Sequence, residues 1–161
     1  MTAPVLVFGY GNPSRGDDAL GPEFVRRLEL RCADAIACGE LEVLTDFQLQ
    51  VEHALDLRGR EQVYFVDATT EAGAPGYAVR PVVAAHDVAF TTHALSPAAL
   101  LQTYRAVVGD PVPETFVIAI RGSQFELGEA MSEGAAVQLT AALDDFVGRL
   151  GRLGGRTPAT T

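Results

Sequence analysis

The chain has 161 residues, nearly half of them apolar, which suits one domain with a core large enough to fold without disulfide or metal staples. Twelve basic side chains, all arginine, stand against 21 acidic ones, for a net charge of −9. That balance excludes a nucleic-acid surface, which needs clustered cations, and an anionic membrane as partner.

Met1-Thr2-Ala3-Pro4 runs straight into a strand-like segment with no basic region or separate apolar stretch, so neither a signal peptide nor a membrane span is expected. The expected location is the cytoplasm. Val5 to Phe8 reads as a buried strand closed by a glycine turn, Gly9-Tyr10-Gly11-Asn12-Pro13. From Gly21 to Arg31, Phe24, Val25 and Leu28 recur at helical spacing. Cys32 and Cys38 fit no zinc or redox motif and read as reduced, partly buried thiols.

Leu41 to Leu44 is a second strand, Val51 to Leu57 a short helix, and Val63 to Val66 a third strand stopped by Asp67-Ala68. Ala72 to Gly76 is a turn and Tyr77 to Val83 a fourth strand, followed by a loop with His86 and His93. Ser96-Pro97 opens a helix to Val108, as an N-cap followed by proline should. Thr115 to Ile120 is a fifth strand, and Ser132 caps a last helix that ends near Leu150. Residues 151–161 read as a flexible C-terminal tail.

Strands alternating with helices predict an α/β fold: one three-layer sandwich domain over residues 1–150, with a twisted, mainly parallel five-stranded sheet flanked by helices. Sites in such sheets lie beyond the carboxyl ends of the strands. That places Asp17, Asp18 and Asp67 around one crevice.

Gly9-x-Gly11 is half of a dinucleotide fingerprint, but the third glycine is displaced. Asp17 and Asp18 also stand where a pyrophosphate would meet the next helix, and they would repel it. One of the two could simply be a first-turn helix acid, worth about 0.5 kcal/mol. The other, with Asp67 from a neighbouring strand end and His93 from the later loop, makes an O,O,N set suited to nickel or zinc. His53 and His86 read as structural. There is no G-x-S-x-G elbow and no His-Glu-x-x-His pair.

The pattern Gly9-x-Gly11-Asn12-x5-Asp18-x2-Gly21 resembles the opening signature of the NiFe-hydrogenase maturation proteases. Val66-Asp67-Ala68, Ala74-Pro75-Gly76, Thr92-His93 and the Val117 to Ile120 strand match in the same order, from Val5 to Leu150. The resemblance implies a single α/β domain and an endopeptidase, loosely classed as aspartic-type. Its substrate would be the precursor of a NiFe-hydrogenase large subunit, which loses a C-terminal peptide. The metal-contacting and catalytic trio carries over to Asp18, Asp67 and His93. The nickel it implies is carried by the substrate, with no resident metal required, and the enzyme is expected to be a monomer that meets its partner transiently.

One segment departs. Many members have Asp-Gly-Gly-Thr after the second strand, where this chain has Thr45-Asp46-Phe47-Gln48-Leu49, with Asp46 one position later. This form is closer to members that serve cytoplasmic, NAD-coupled hydrogenases. Two mechanisms fit: the ion polarises the scissile carbonyl or activates water, or an aspartate acts as general base. A nickel-sensing chaperone that does not cut would share these residues and leave its partner at full length.

Overall fold

The computed structural model describes residues 2–71, 76–86, 95–109 and 111–154, with the side chains of residues 153 and 154 left undescribed. Five strands, β1 (Val5–Tyr10), β2 (Leu41–Asp46), β3 (Gln62–Thr69), β4 (Tyr77–Pro81) and β5 (Glu114–Arg121), form one sheet in the order β2-β1-β3-β5-β4. All neighbours are parallel except β4, which runs antiparallel to β5. The helices are α1 (Leu20–Arg31), α2 (Ala33–Ala37), α3 (Pro97–Val107) and α4 (Glu133–Gly154). The predicted sandwich with a mainly parallel sheet is the observed one.

Alternation along the strands decides which helix each face meets. Val5, Val7, Tyr64, Val66, Ile118 and Ile120 face the buried sides of α1 (Phe24, Val25, Leu28) and α4 (Leu139, Leu143, Phe146). Leu6, Phe8, Tyr10, Val63 and Phe65 face the other way, against Leu100, Leu101 and Tyr104 of α3 and Leu57 of a 3-10 helix at Val51–Leu57. Residues of strands buried on both faces read as continuous apolar runs, which is why β1 and β3 are legible in the sequence.

β1, β2, β3 and β5 are longer than the hydropathy suggests, and β4 stops at Pro81, short of the expected Val83. β1 continues through Gly9 and Tyr10, because these pair with Thr45 and Asp46 of β2. β3 continues through Asp67 to Thr69 because Asp67, Ala68 and Thr69 pair with Ala119, Ile120 and Arg121 of β5. Asp67 therefore lies within the strand, not after it. The pairing of β1 with β3 ends at Gly9 and Val66, so Asp67 is the first residue of β3 beyond its neighbour's cover.

The last helix likewise runs to Gly154, past the expected end at Leu150. Cys32 is buried as expected, whereas Cys38 is exposed. No described helix is long and apolar enough to cross a membrane.

The chain moves from β1 outward to β2, then returns to place β3 on the other side of β1. The strand order thus reverses at β1, and the carboxyl ends of β1 and β3 splay at this switch point, where open α/β sheets bind ligands. Gly9 and Gly21 make the approach of α1 to that point possible. A Cβ on Gly9 would stand 2.2 Å from the Gly21 carbonyl oxygen, and one on Gly21 would stand 2.5 Å from that of Tyr10. These glycines close a strand-helix contact; they do not cradle a phosphate.

Candidate functional site

The loop from Gly11 to Ala19 carries the first group of side chains. It leaves β1 through Gly11, whose positive φ of +146° few side chains tolerate, and ends in a 3-10 turn at Gly16–Ala19. The backbone N–H of Asn12 donates to Asp18 Oδ2 at 2.7 Å, so Asp18's carboxylate closes its own loop. That donor is one a pyrophosphate would need, and it is already used by an anion of the chain itself. The dinucleotide reading fails here on geometry as well as charge.

The structure separates the two adjacent aspartates. Asp17 is fully buried, just beyond the end of β5. Its carboxylate accepts from the backbone N–H groups of Ser123 (2.7 Å), Gln124 (3.1 Å) and Ser132 (2.7 Å) and from the Ser132 hydroxyl (2.8 Å). Its own N–H donates to Gln124 O at 2.7 Å, while Gly16 N reaches Glu129 O and Gly128 N reaches Ser14 O. Burial alone would push the Asp17 carboxyl up, but the hydrogen bonds from Ser123, Ser132 and Gln124 outweigh it and hold it below the ordinary range. Asp17 is therefore no helix-end acid of minor worth. It clasps the first loop to the segment between β5 and α4.

Asp18 remains partly exposed, and its charge reaches the Asp67 carboxyl. Asp67 leaves the sheet on the same face as Val63 and Phe65, the face covered by α3. Its Oδ2 accepts from the Tyr10 hydroxyl at 3.1 Å. Burial raises the Asp67 carboxyl to about 6, against the hydrogen bonds from Tyr10 and the Ala68 N–H and with the Asp18 charge adding to the rise. Tyr10 itself is nearly buried, and burial followed by the Asp67 charge pushes its phenol well above the ordinary value.

His93, the third residue of the expected set, lies outside the described residues, as do Thr92 and the Ala74-Pro75 pair. The described chain resumes at Leu95 and enters α3, where the Ser96 hydroxyl accepts from Ala99 N at 3.1 Å as the expected N-cap. Among the described residues no three His, Cys, Asp or Glu side chains come together as metal ligands.

At the end of β2, Asp46 Oδ1 accepts from the Phe47 N–H at 2.7 Å, and Oδ2 faces His53 Nε2 at 3.2 Å. His53 Nδ1 accepts the Gln50 N–H at 2.9 Å, so its proton sits on Nε2 and points at Asp46. His53 thus holds Asp46 in place at the end of β2. Asp46, Phe47, Thr45, Gly11, Pro13 and Pro22 line a cavity of about 400 Å³ beside the first loop.

Tyr10 was missed by sequence reasoning, which took it for a turn residue. The available signal was strand alternation, which puts residue 10 on the face of residues 6 and 8 and residue 67 on the face of 63 and 65.

No family model matches the chain, and no curated protein matches it. Solved structures do. The NiFe hydrogenase maturation protease HycI from Thermococcus kodakarensis is 20% identical, with a TM-score of 0.71 over 92% of this chain and 93% of its own. The hydrogenase maturating endopeptidase HybD from E. coli is 21% identical, with a TM-score of 0.70 over 96% and 94%. A hydrogenase 2 maturation peptidase from a Thaumarchaeota archaeon is 22% identical, with a TM-score of 0.62 over 91% and 97%. At these identities the likeness establishes a shared fold over nearly the full length of both partners.

Proposed function

We propose that this protein is an endopeptidase that removes a C-terminal peptide from the nickel-loaded precursor of a NiFe-hydrogenase large subunit. The observation that supports it most is the meeting of Asp18 and Asp67 at the switch point, in a fold shared with proteins named as maturation endopeptidases. In this reading the nickel is part of the substrate. Asp18, Asp67 and His93 complete the coordination of an ion already held by the precursor's cysteines, which selects loaded over empty precursor. A carboxylate and an imidazole set of this kind suits nickel better than a hard cation.

Docking through the ion holds the scissile bond beside Asp18 and Asp67, and such positioning supplies much of the rate enhancement. A carboxyl that ionises near pH 6 is a base at neutral pH. Asp67 then takes a proton from water as the hydroxyl adds to the scissile carbonyl, and the proton passes to the departing amine. The pH dependence follows from the sign: kcat/KM falls on the acid side as Asp67 of the free enzyme is protonated, with a half-maximal point near 6. A flat kcat/KM between pH 5 and 7, measured with precursor well below KM so that the free enzyme's carboxyl is read, counts against this role.

Recognition is tested by pull-down of purified precursor, nickel-loaded or stripped with a chelator. Retention of the loaded form alone is expected, and His93→Ala is expected to lose that preference. Equal retention of both forms contradicts recognition through the ion. Asp18→Ala is expected to melt within a few degrees of the wild type while cleaving at least about a hundredfold more slowly. Near-normal cleavage by Asp18→Ala removes it from the site.

A further inference from the structure

Resting on that reading, we infer that Tyr10 is a positioning residue for the reaction: its hydroxyl fixes the carboxylate of Asp67 by binding one oxygen and leaving the other for the substrate's ion or water.

The observation is the juxtaposition of two residues from adjacent strands at the switch point. Tyr10 ends β1 and Asp67 lies just beyond the point where β1 and β3 stop pairing. Both side chains leave the sheet on the α3 face. The Tyr10 ring is packed edge-on against Phe65, with centroids 6.4 Å apart, and it is 9% exposed. The ring therefore has little freedom, and its hydroxyl meets Asp67 Oδ2 at 3.1 Å. A phenol is protonated at neutral pH and donates, whereas an ionised carboxylate only accepts, so the direction of the bond is settled by chemistry.

Asp67 needs such a holder. It stands past the edge of β1, and no cation is paired with it among the described residues. Apart from Tyr10, the Ala68 N–H donates to this carboxylate; a carboxylate held by that one bond can still turn about its χ2 angle and change the oxygen it offers to an ion. With Oδ2 tied to Tyr10, Asp67 meets the ion or the water through one oxygen and in one orientation. Groups that orient a metal-binding side chain commonly change activity by about ten- to a hundredfold when removed. The bond also makes the site sensitive to a single oxygen atom of Tyr10. Phenylalanine at position 10 would keep the packing on Phe65 and lose only this function.

The test uses full-length protein and a nickel-loaded large-subunit precursor, with initial rates measured across precursor concentration for the wild type, Tyr10→Phe and Tyr10→Leu. For Tyr10→Phe we expect kcat to fall about tenfold or more, with KM within about twofold and the melting temperature little changed. Tyr10→Leu, which also removes the ring, is expected to match Tyr10→Phe in kcat and to melt lower. A normal kcat in Tyr10→Phe overturns the inference. So does a raised KM at normal kcat, which would mean that the hydroxyl binds the precursor itself. A kcat that is intact in Tyr10→Phe and lowered only in Tyr10→Leu assigns the effect to packing, and it also overturns the inference. If the wild type does not shorten the precursor, the endopeptidase reading falls and this one with it; wild-type cleavage with an unaffected Tyr10→Phe removes this inference alone.

Discussion

Replacing Asp67 by asparagine is expected to abolish cleavage and, at neutral pH, to make the protein more stable. The two effects share one cause. The carboxyl ordinarily ionises at 3.8 and here ionises at about 6, chiefly because it is buried. At about 1.4 kcal/mol per unit, that gap means the charged form costs the fold up to about 3 kcal/mol at pH 7. The sign follows from the raised value. Below about pH 4 the group is neutral in both the folded and the unfolded chain and costs nothing. As the pH rises from 4 to 6 the unfolded chain ionises first, so stability is lost over that window and levels off above it.

Asparagine keeps the shape and can still accept from Tyr10, but it carries no charge. Thermal melting of Asp67→Asn should therefore exceed the wild type by about 5–10 °C at pH 7, with the advantage shrinking towards pH 4. Cleavage should fall by about a thousandfold, the middle of the range for a lost general base. Such a trade of stability for activity is what a strained functional group produces. A variant that unfolds, or one that melts lower at pH 7, would mean that Asp67 is a structural carboxylate.

Asp17→Ala is expected to do the opposite. This side chain, itself at zero exposure, accepts from three backbone N–H groups and a hydroxyl, and alanine would take that acceptor away from four part-buried donors at once. Each unsatisfied buried donor costs about 1–3 kcal/mol, so a loss of roughly 4 kcal/mol and a fall in melting temperature of about 10 °C or more are expected. Because the Asp17 carboxyl is held below its ordinary 3.8, its contribution is complete above about pH 4 and disappears as the pH falls through the lowered value. The gap in stability between wild type and Asp17→Ala should narrow under acid. A variant that melts like the wild type at pH 7 would contradict the clasp. Cleavage by Asp17→Ala should decline only as far as folding does, whereas Asp18→Ala should lose cleavage with its fold intact.

The contrast between these neighbouring residues shows what the sequence could and could not reveal. Strands β1 and β3 were legible because they are buried on both faces and are written as unbroken apolar runs. The crevice followed from topology, since loops after parallel strands share one end of the sheet. Asp67 was legible as an acid that follows a buried run, although pairing with β5 carries the strand past it. The role of Asp17 was not legible, because its partners Ser123, Gln124 and Ser132 lie 106 to 115 residues away. Only the β5–α4 segment folding over the first loop brings them together. Ser132 was read correctly as a helix cap, yet its hydroxyl both accepts from Ala135 N and donates to Asp17, and the second bond leaves no local trace. Helix α2 escaped notice because five residues are too few to display a period.

The measurement that tests the central claim most directly is the mass of a large-subunit precursor before and after incubation with the purified protein, in nickel-loaded and nickel-free form. The account predicts loss of a short C-terminal peptide from the loaded precursor, with the nickel-free precursor left whole. A loaded precursor that binds the protein and keeps its full mass would contradict it, and would leave a chaperone that inspects nickel without cutting.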